Sequence, residues 1–101
     1  MDRTKLIPAD EFCAIHNIEF SFIQSLEETG LIEIKTIEDT GFIPVNQIYD
    51  LERMVHLHNE LDINIEGIDA ITHLLHRIMD LQEEVRMLKL RLRLFENDSF
   101  D

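Results

Sequence analysis

The chain has little of several residue types and patterns that would point to a particular chemistry. Of its 101 residues one is cysteine, three are glycine and two are proline, and tryptophan is absent. A single cysteine, Cys13, cannot form an internal disulfide and suits a reducing compartment. The longest uninterrupted apolar run, at 12–15, is too short for a signal peptide or a membrane span. We therefore expect a cytoplasmic protein.

Positive charge is also scarce. The chain carries 21 Asp or Glu against nine Lys or Arg, for a net charge of −12. Residues 6–84 contain 17 of the acids and only three of the bases, whereas residues 85–95 contain four bases and no acid. Proteins bind duplex nucleic acids by neutralising phosphates with Lys and Arg. A negative body instead favours basic protein partners, although solubility alone would also explain the acidity.

No pattern in the sequence indicates a catalytic or metal site. His73 and His76 would share a helical face, but zinc needs three or four ligands. His56 and His58 are two residues apart and would point in different directions on a helix. Cys13 has no basic neighbour to lower its pKa. Because glycine-rich phosphate loops and serine nucleophile motifs are also missing, we expect no enzymatic activity, catalytic residue, metal or cofactor.

The sequence does contain the order of a helix-turn-helix. Residues 9–16 predict a short helix that ends at Asn17, whose side chain tolerates a left-handed conformation. Residues 19–29 predict a second helix that ends at Gly30. The inward-facing stripe of this second helix consists of Phe22, Ile23 and Leu26.

A wing and two further helices follow in the pattern. The segments LIEIKT and FIPV flank IEDTG and predict a two-stranded hairpin with a glycine-containing turn, closed by Pro44. Asn46 is placed to cap a third helix, and Asn64 to cap a fourth. Ile63 and Ile68 occupy the positions of a hydrophobic staple around the second of these caps. The third helix should have along one side Ile48, Leu51, Val55 and Leu61.

The strongest pattern lies in the last part of the chain. Eight apolar side chains recur at alternating steps of three and four residues, as at the a and d positions of a coiled coil, over roughly 36 Å. This seam comprises Ile71, Leu74, Ile78, Leu81, Val85, Leu88, Leu92 and Phe95. A lone helix cannot cover its own seam, so it must fold back or pair. We predict a homodimer through this helix, with parallel and antiparallel pairing both open.

A second apolar stripe, made of Met87, Leu90 and Leu94, lies off the seam. It would be either a third packing surface within the dimer or an exposed patch for a partner. These patterns divide the chain into a winged helix-turn-helix-like domain at 1–63 and a C-terminal helix and coiled coil at 64–101.

The whole arrangement resembles the MerR family of dimeric regulators, in which a segment similar to GLIE at 30–33 follows the recognition helix. The resemblance implies a mainly α fold, a MerR-like winged helix-turn-helix with a small β-hairpin wing and a long C-terminal coiled-coil helix. In those regulators the recognition helix and the wing carry Arg, Lys and Tyr. Here the wing has only Lys35 as a cation, and the helix has Phe22, Ile23, Gln24 and Ser25.

The CbpM-type chaperone-modulatory proteins, a branch of that superfamily, are more similar to this chain. The shared segments are EFC at 11–13, GLIE, LHNEL at 57–61, GI at 67–68 and the stretch at 81–95. This resemblance implies a protein that binds the J-domain of a DnaJ-like, CbpA-type co-chaperone and inhibits its stimulation of Hsp70. J-domains present a basic surface to Hsp70, which an acidic protein could occupy. A MerR-like dimeric DNA-binding regulator is the alternative, which the scarcity of cations disfavours.

Two sets of acidic side chains are candidates for the partner contact. Glu52, His56 and Glu60 lie at four-residue spacing and would form one acidic ridge on the third helix. The alternatives on the helix-turn-helix and the wing are Glu27, Glu28 and Asp39.

Overall fold

The computed structural model describes residues 5–99, which divide into two compact units. The first unit extends to Asp69, and the second begins at Ala70. The first contains a helix-turn-helix, a small sheet and a third helix, and the fourth helix starts near its end. The mainly α winged helix-turn-helix predicted from the sequence is confirmed.

The helix-turn-helix consists of α1 (Ala9–His16) and α2 (Phe20–Glu28). Asn17 ends α1 with φ 54° and ψ 53°, and its N–H donates to the carbonyl oxygen of Cys13. The N–H of Ile18 donates to the same oxygen at 3.0 Å. Asparagine adopts this left-handed conformation at less cost than most residues, and the predicted stop at Asn17 is confirmed.

Gly30 follows α2 with φ 87°, and the N–H of Leu31 returns to the Leu26 carbonyl oxygen at 2.9 Å. This left-handed glycine turns the chain away from the helix, as predicted. The predicted inward stripe is also confirmed, because all three of its side chains are buried: Phe22, Ile23 and Leu26.

The sheet has three antiparallel strands in the order β1-β3-β2: β1 (Leu6–Pro8), β2 (Lys35–Ile37) and β3 (Thr40–Pro44). The β2–β3 hairpin is the predicted wing, and Pro44 is the last residue of β3. No sequence pattern indicates β1, because three residues are too few to show alternation. Its pairing of Leu6 with Pro44 joins segments far apart in the chain.

The wing turn differs from the prediction. Glu38 and Asp39 form it, with φ values of 50° and 64°. Two left-handed residues between paired strands make a type I′ loop, whose twist matches the strands. Gly41 lies within β3, opposite Thr36. The prediction of a glycine in the turn was therefore wrong, since strand register places the acidic pair at the tip.

The third helix, α3 (Ile48–Leu61), follows a single 3₁₀ turn over Val45–Gln47. Asn46 lies inside that turn, and the residue before α3 makes no side-chain cap, so the predicted cap at Asn46 was wrong. Leu61 was also wrongly predicted to face inward. It is exposed because it is the last residue of α3, just before the chain turns away at Asp62.

The core of the first unit is formed by side chains from α1, α2, α3, the sheet, the segment after α2 and the start of the fourth helix. Ile23, Leu26, Ile43, Leu51 and Ile68 are the largest that are fully buried. The other buried apolar members are Ala9, Phe12, Cys13, Phe22, Ile32, Met54 and Val55.

The segment LHNEL forms the end of α3. Asp62 follows in a left-handed conformation, and its N–H donates to the carbonyl oxygen of Leu57. The N–H of Ile63 donates to the same oxygen at 3.1 Å. This motif therefore has a structural role in the turn between α3 and the next helix.

The fourth helix, α4 (Ile65–Ser99), begins with the predicted cap. The Asn64 Oδ1 accepts a hydrogen bond from the Gly67 N–H at 2.8 Å. Ile63 packs against the core, and Ile68 is fully buried in it, as a hydrophobic staple requires.

From Ala70 onward, the second unit consists of α4. Seven of the eight seam residues expose 42–71% of their surface in the single chain, and Ile71 is half-buried. A helix that leaves an apolar row uncovered in this way has a surface available for pairing.

Candidate functional site

The outward face of α2 is the surface that would meet DNA in a helix-turn-helix protein. No Lys or Arg occurs in α2. Ser25 Oγ donates to the Ser21 carbonyl oxygen at 3.0 Å, and Thr29 Oγ1 donates to the Ser25 carbonyl oxygen at 2.8 Å. These two hydroxyls are therefore bonded to the helix backbone. The exposed polar side chains of α2 itself are Ser21, Gln24, Glu27 and Glu28.

Two polar side chains hold the segment that leads into the wing. The Glu27 Oε2 accepts a hydrogen bond from the Ile34 N–H at 3.3 Å. Gln47 bonds to both backbone groups of Glu33: its Oε1 accepts from the N–H and its Nε2 donates to the carbonyl oxygen, each at 2.8 Å. Glu27, a predicted partner-binding residue, thus has a structural contact. No sequence pattern indicates Gln47, because its partner is 14 residues away.

The other two candidates on this part of the chain lie on different elements. Glu28 is the last residue of α2 and is exposed. Asp39 is exposed at the tip of the wing, where its positive φ belongs to the turn.

The predicted acidic ridge lies on the exposed side of α3. Its members Glu52, His56 and Glu60 expose 50%, 57% and 67% of their side chains. The His56 Nδ1 lies 3.7 Å from the Glu60 Oε2. His16, at the end of α1, also belongs to this site, although no sequence pattern indicates it. Its Nε2 lies 3.5 Å from the Glu52 Oε2. Only the packing of α1 beside α3 brings this histidine to the ridge.

The ridge and His16 line a shallow cleft of about 220 Å³ together with Val55 and Asn59. His16 is oriented by a ring contact with Phe12, at 4.2 Å between centroids. In the part of the chain that the structure describes, no Lys or Arg lines this cleft. Its charge comes from two carboxylates, each within 4 Å of a histidine nitrogen.

A second cleft of about 360 Å³ adjoins the first at Asn59. Its floor is a stacked pair, Phe22 and His58, with ring centroids 4.3 Å apart and planes inclined by 19°. The His58 Nδ1 lies 3.3 Å from the Ile63 carbonyl oxygen. The remaining lining residues are Asn17, Ile18, Glu19, Ser21 and Ser25.

The second apolar stripe lies on α4. Met87 and Leu94 are exposed by 37% and 56%, and Leu90 is half-buried. Met87 also lines a surface depression of about 410 Å³ with Asp80, Glu83, Glu84, Leu88 and Arg91. This surface is apolar with charges of both signs at its border.

One of the basic residues in this stretch has a partner within α4. Arg86 Nη2 and Nε donate to the two carboxylate oxygens of Glu83 at 2.7 and 3.0 Å. These hydrogen bonds, together with the attraction between the two charges, lower the pKa of Glu83 and raise the pKa of Arg86. The charge of Arg86 is thus partly offset at its own site.

Cys13 is the one thiol in the chain, and it is buried. Burial raises its pKa, and the nearby charge of Asp10 raises it further. A thiol that stays protonated is a poor nucleophile.

Two further features are absent from residues 5–99. No group of three or more His, Cys, Asp or Glu side chains in this range is placed to hold a metal ion. No helix in this range is both long and apolar enough to cross a membrane.

Comparison with known proteins identifies the family. No curated protein and no solved structure matches the chain. A family model described as MerR HTH family regulatory protein matches residues 7–90. The matched range contains the helix-turn-helix, the wing, α3 and most of α4. Because the match covers most of the chain, this protein belongs to the MerR HTH family of regulatory proteins.

Proposed function

We propose that this protein is a chaperone modulator of the CbpM type. It binds the J-domain of a DnaJ-like, CbpA-type co-chaperone and inhibits the stimulation of Hsp70, without catalysing a reaction. The observation that carries this proposal is the charge of the first unit. Residues 5–69 contain 14 Asp or Glu against three Lys or Arg, and α2 has no cation. Such a surface attracts a basic protein and repels a polyanion.

The inhibition is by occupation of a surface. A J-domain presents basic residues to Hsp70, and the acidic ridge of Glu52, His56 and Glu60 has the complementary charge. Exposed rim charges mainly raise the association rate, while apolar contacts slow dissociation. In this mechanism the stripe of Met87, Leu90 and Leu94 supplies apolar contact, and Glu28 and Asp39 extend the acidic surface.

The protein acts as a homodimer in the cytoplasm in this proposal. The uncovered seam on α4 is the surface through which two copies pair. Pairing would remove from water seven side chains that a single copy leaves exposed, which stabilises the dimer by the hydrophobic effect.

The direct test is a titration of the protein against the cognate J-domain, followed by Hsp70 ATPase assays. We expect saturable binding, and ATPase stimulation that falls as the J-domain becomes occupied. A J-domain with its basic Hsp70-facing residues replaced by alanine should bind weakly. Tight binding that leaves ATPase stimulation intact would disprove masking while keeping the partner. A lack of binding between this protein and the J-domain would contradict the proposal.

A second candidate function is a dimeric DNA-binding regulator, and the membership in a family of regulatory proteins favours it. DNA binding through several phosphate contacts has a steep salt dependence. The test is an electrophoretic mobility assay with a fragment of the protein's own promoter region. If the protein binds this fragment at physiological salt, and added salt lowers the affinity at least tenfold, the DNA-binding function takes precedence. We expect no specific retardation.

A further inference from the structure

We propose that the acidic ridge is a proton-sensitive contact, in which protonation of His16 and His56 weakens the binding of a basic partner surface. The inference rests on the proposed function, since it concerns the regulation of the same docking surface. Its basis is the pairing of each ridge carboxylate with a histidine.

Each of the two ridge carboxylates has a histidine nitrogen within 4 Å, and the two histidines come from different helices. The His16 Nε2 reaches the Glu52 Oε2 from α1 at 3.5 Å. The His56 Nδ1 lies 3.7 Å from the Glu60 Oε2, one turn along α3. While both imidazoles are neutral, the ridge presents two full negative charges to a partner. When both are protonated, each carboxylate has an ion pair inside the protein, and the net charge of the four groups is zero.

Few other charged groups face these histidines. Within the cleft the remaining lining residues, Val55 and Asn59, are uncharged. The adjoining cleft contributes Glu19 from the start of α2 and His58, which is 3.3 Å from the Ile63 carbonyl oxygen. Among residues 5–99, no Lys or Arg lines either cleft, so the titratable cations that line them in this range are histidines.

The nearest residues of α3 do not change this balance. Arg53 is bonded to Asp50 at 3.0 Å and lies over the Tyr49 ring, 5.5 Å from its centroid. On α1 the acidic residues Asp10 and Glu11 are in the first turn, at the other end from His16. The charge balance at the two ridge carboxylates is therefore set by His16 on α1 and His56 on the ridge itself.

A cation of the partner and the protonated neighbouring histidine compete for the same carboxylate, and this competition makes binding weaker at low pH. A Lys or Arg of the partner that approaches Glu52 or Glu60 disfavours the protonated form of the neighbouring histidine. Binding therefore releases protons, and affinity falls as the pH falls. Histidine changes its charge between pH 5 and 8. Because exposed ion pairs are individually weak, we expect dissociation constants about five- to tenfold larger at pH 5.5 than at pH 7.5.

The experiment measures binding of the full chain to the cognate J-domain by calorimetry at pH 7.5, 6.5 and 5.5 and constant ionic strength. Titrations at pH 6.5 in two buffers of different ionisation enthalpy give the number of protons released. The test variant is His16→Gln with His56→Gln. His76→Gln, an exposed histidine on α4, is the matched control. Circular dichroism at each pH verifies that both proteins remain folded.

We expect the wild type and His76→Gln to bind more weakly at low pH and to release protons. The double variant should change by less than about twofold across the range and release fewer protons. His16 contacts the Phe12 ring, so its replacement could disturb folding. In that case the single variant His56→Gln is used, because its side chain is 57% exposed. It should remove about half of the change in the logarithm of the dissociation constant between pH 7.5 and pH 5.5.

Three outcomes would overturn the inference. A dissociation constant of the wild type that does not change with pH would do so, while leaving the proposed function in place. An equal pH dependence in the wild type and the histidine variants would assign the titration to groups other than His16 and His56, on this chain or on the partner. A complete lack of binding at pH 7.5 would contradict the proposed function itself, and the inference would fall with it.

Discussion

At the scale of single residues, Gly67 occupies a position where space rather than backbone conformation requires glycine. A Cβ added there would lie 2.6 Å from the Ile63 Cγ2 and 3.1 Å from the Asn64 Oδ1. Those two atoms belong to the residues of the staple and the cap that begin α4. The first turn of α4 is therefore packed too closely for any larger side chain.

We expect Gly67→Ala to lower the free energy of unfolding by about 1–2 kcal/mol, because the added methyl group overpacks this site. In an unhindered helix the same change would stabilise by about 1 kcal/mol. Urea unfolding followed by circular dichroism measures the difference. The matched control is the same substitution in an Ile63→Ala background, where the clashing methyl group is gone and the cost should shrink. Greater stability of Gly67→Ala alone would contradict the packing argument.

A second prediction at the scale of single residues concerns the tip of the wing. Glu38 and Asp39 both have positive φ, which is costly for glutamate and less costly for aspartate, asparagine and glycine. We expect Glu38→Asn combined with Asp39→Gly, the preferred type I′ pair, to stabilise the first unit by about 1 kcal/mol. Asp39→Ala, which keeps a Cβ but loses the polar side chain, should destabilise it. Thermal unfolding compares the variants, and an unchanged midpoint for both would argue against the type I′ assignment.

At the scale of elements, α4 is unlike the other helices because most of its apolar side chains have no cover in the single chain. Leu81, in the middle of the predicted seam, is 42% exposed, and Met79, off the seam, is 56% exposed. Exposure alone does not distinguish these two positions. The a/d spacing does, and it predicts that only the first lies between two copies.

We expect Leu81→Asp to abolish the dimer, because it buries an unpaired charge at the centre of the interface. The variant should sediment as a monomer or be unfolded. Met79→Asp introduces the same charge outside the seam and should remain dimeric. Sedimentation velocity over a range of concentrations makes the comparison. A monodisperse monomer for the wild type would refute pairing through α4.

At the scale of the whole molecule, charge is distributed unevenly along the chain. Residues 6–84 have 17 acids and three bases, whereas residues 85–95 have four bases and no acid. Long-range attraction to a basic partner therefore originates in the first unit and the adjoining part of α4. On the ridge of α3, two carboxylates of that surface, Glu52 and Glu60, lie on one helical face about two turns apart.

We expect Glu52→Lys with Glu60→Lys to slow association with the J-domain about tenfold and to flatten its salt dependence, since rim charges act on the encounter. Glu11→Lys with Glu33→Lys changes the net charge equally at exposed positions outside the proposed contact surface and should have a smaller effect. Stopped-flow or surface binding kinetics at two salt concentrations separates association from dissociation. Equal slowing by both pairs would mean that total charge, not the ridge, steers the encounter.

Features of the fold that depend on neighbouring residues were predictable from the sequence. Asn17 and Gly30 end their helices, and Asn64 caps α4, because each acts on backbone groups within about one turn. The buried stripe of α2 was predictable for the same reason: helical periodicity places its side chains on one face.

Features that depend on distant partners were not predictable. β1 exists only because β3 provides backbone partners for it, and the wing turn follows from the strand register. Gln47 acts through Glu33, and His16 reaches Glu52 across two helices. A periodic pattern contains no information about which side chains meet across such separations.

The sequence by itself determined the helices, their local stops and caps, the acidic surface of the first unit and the apolar row of α4. These properties follow from composition and from spacings along one helix. The tertiary structure alone decided that His16 stands beside Glu52 and that an acidic pair forms the turn of the wing. His16 reaches Glu52 because α1 packs near α3, and side chains far apart in sequence become neighbours only when the chain is folded. The residues of the wing turn follow from the register in which β2 aligns with β3.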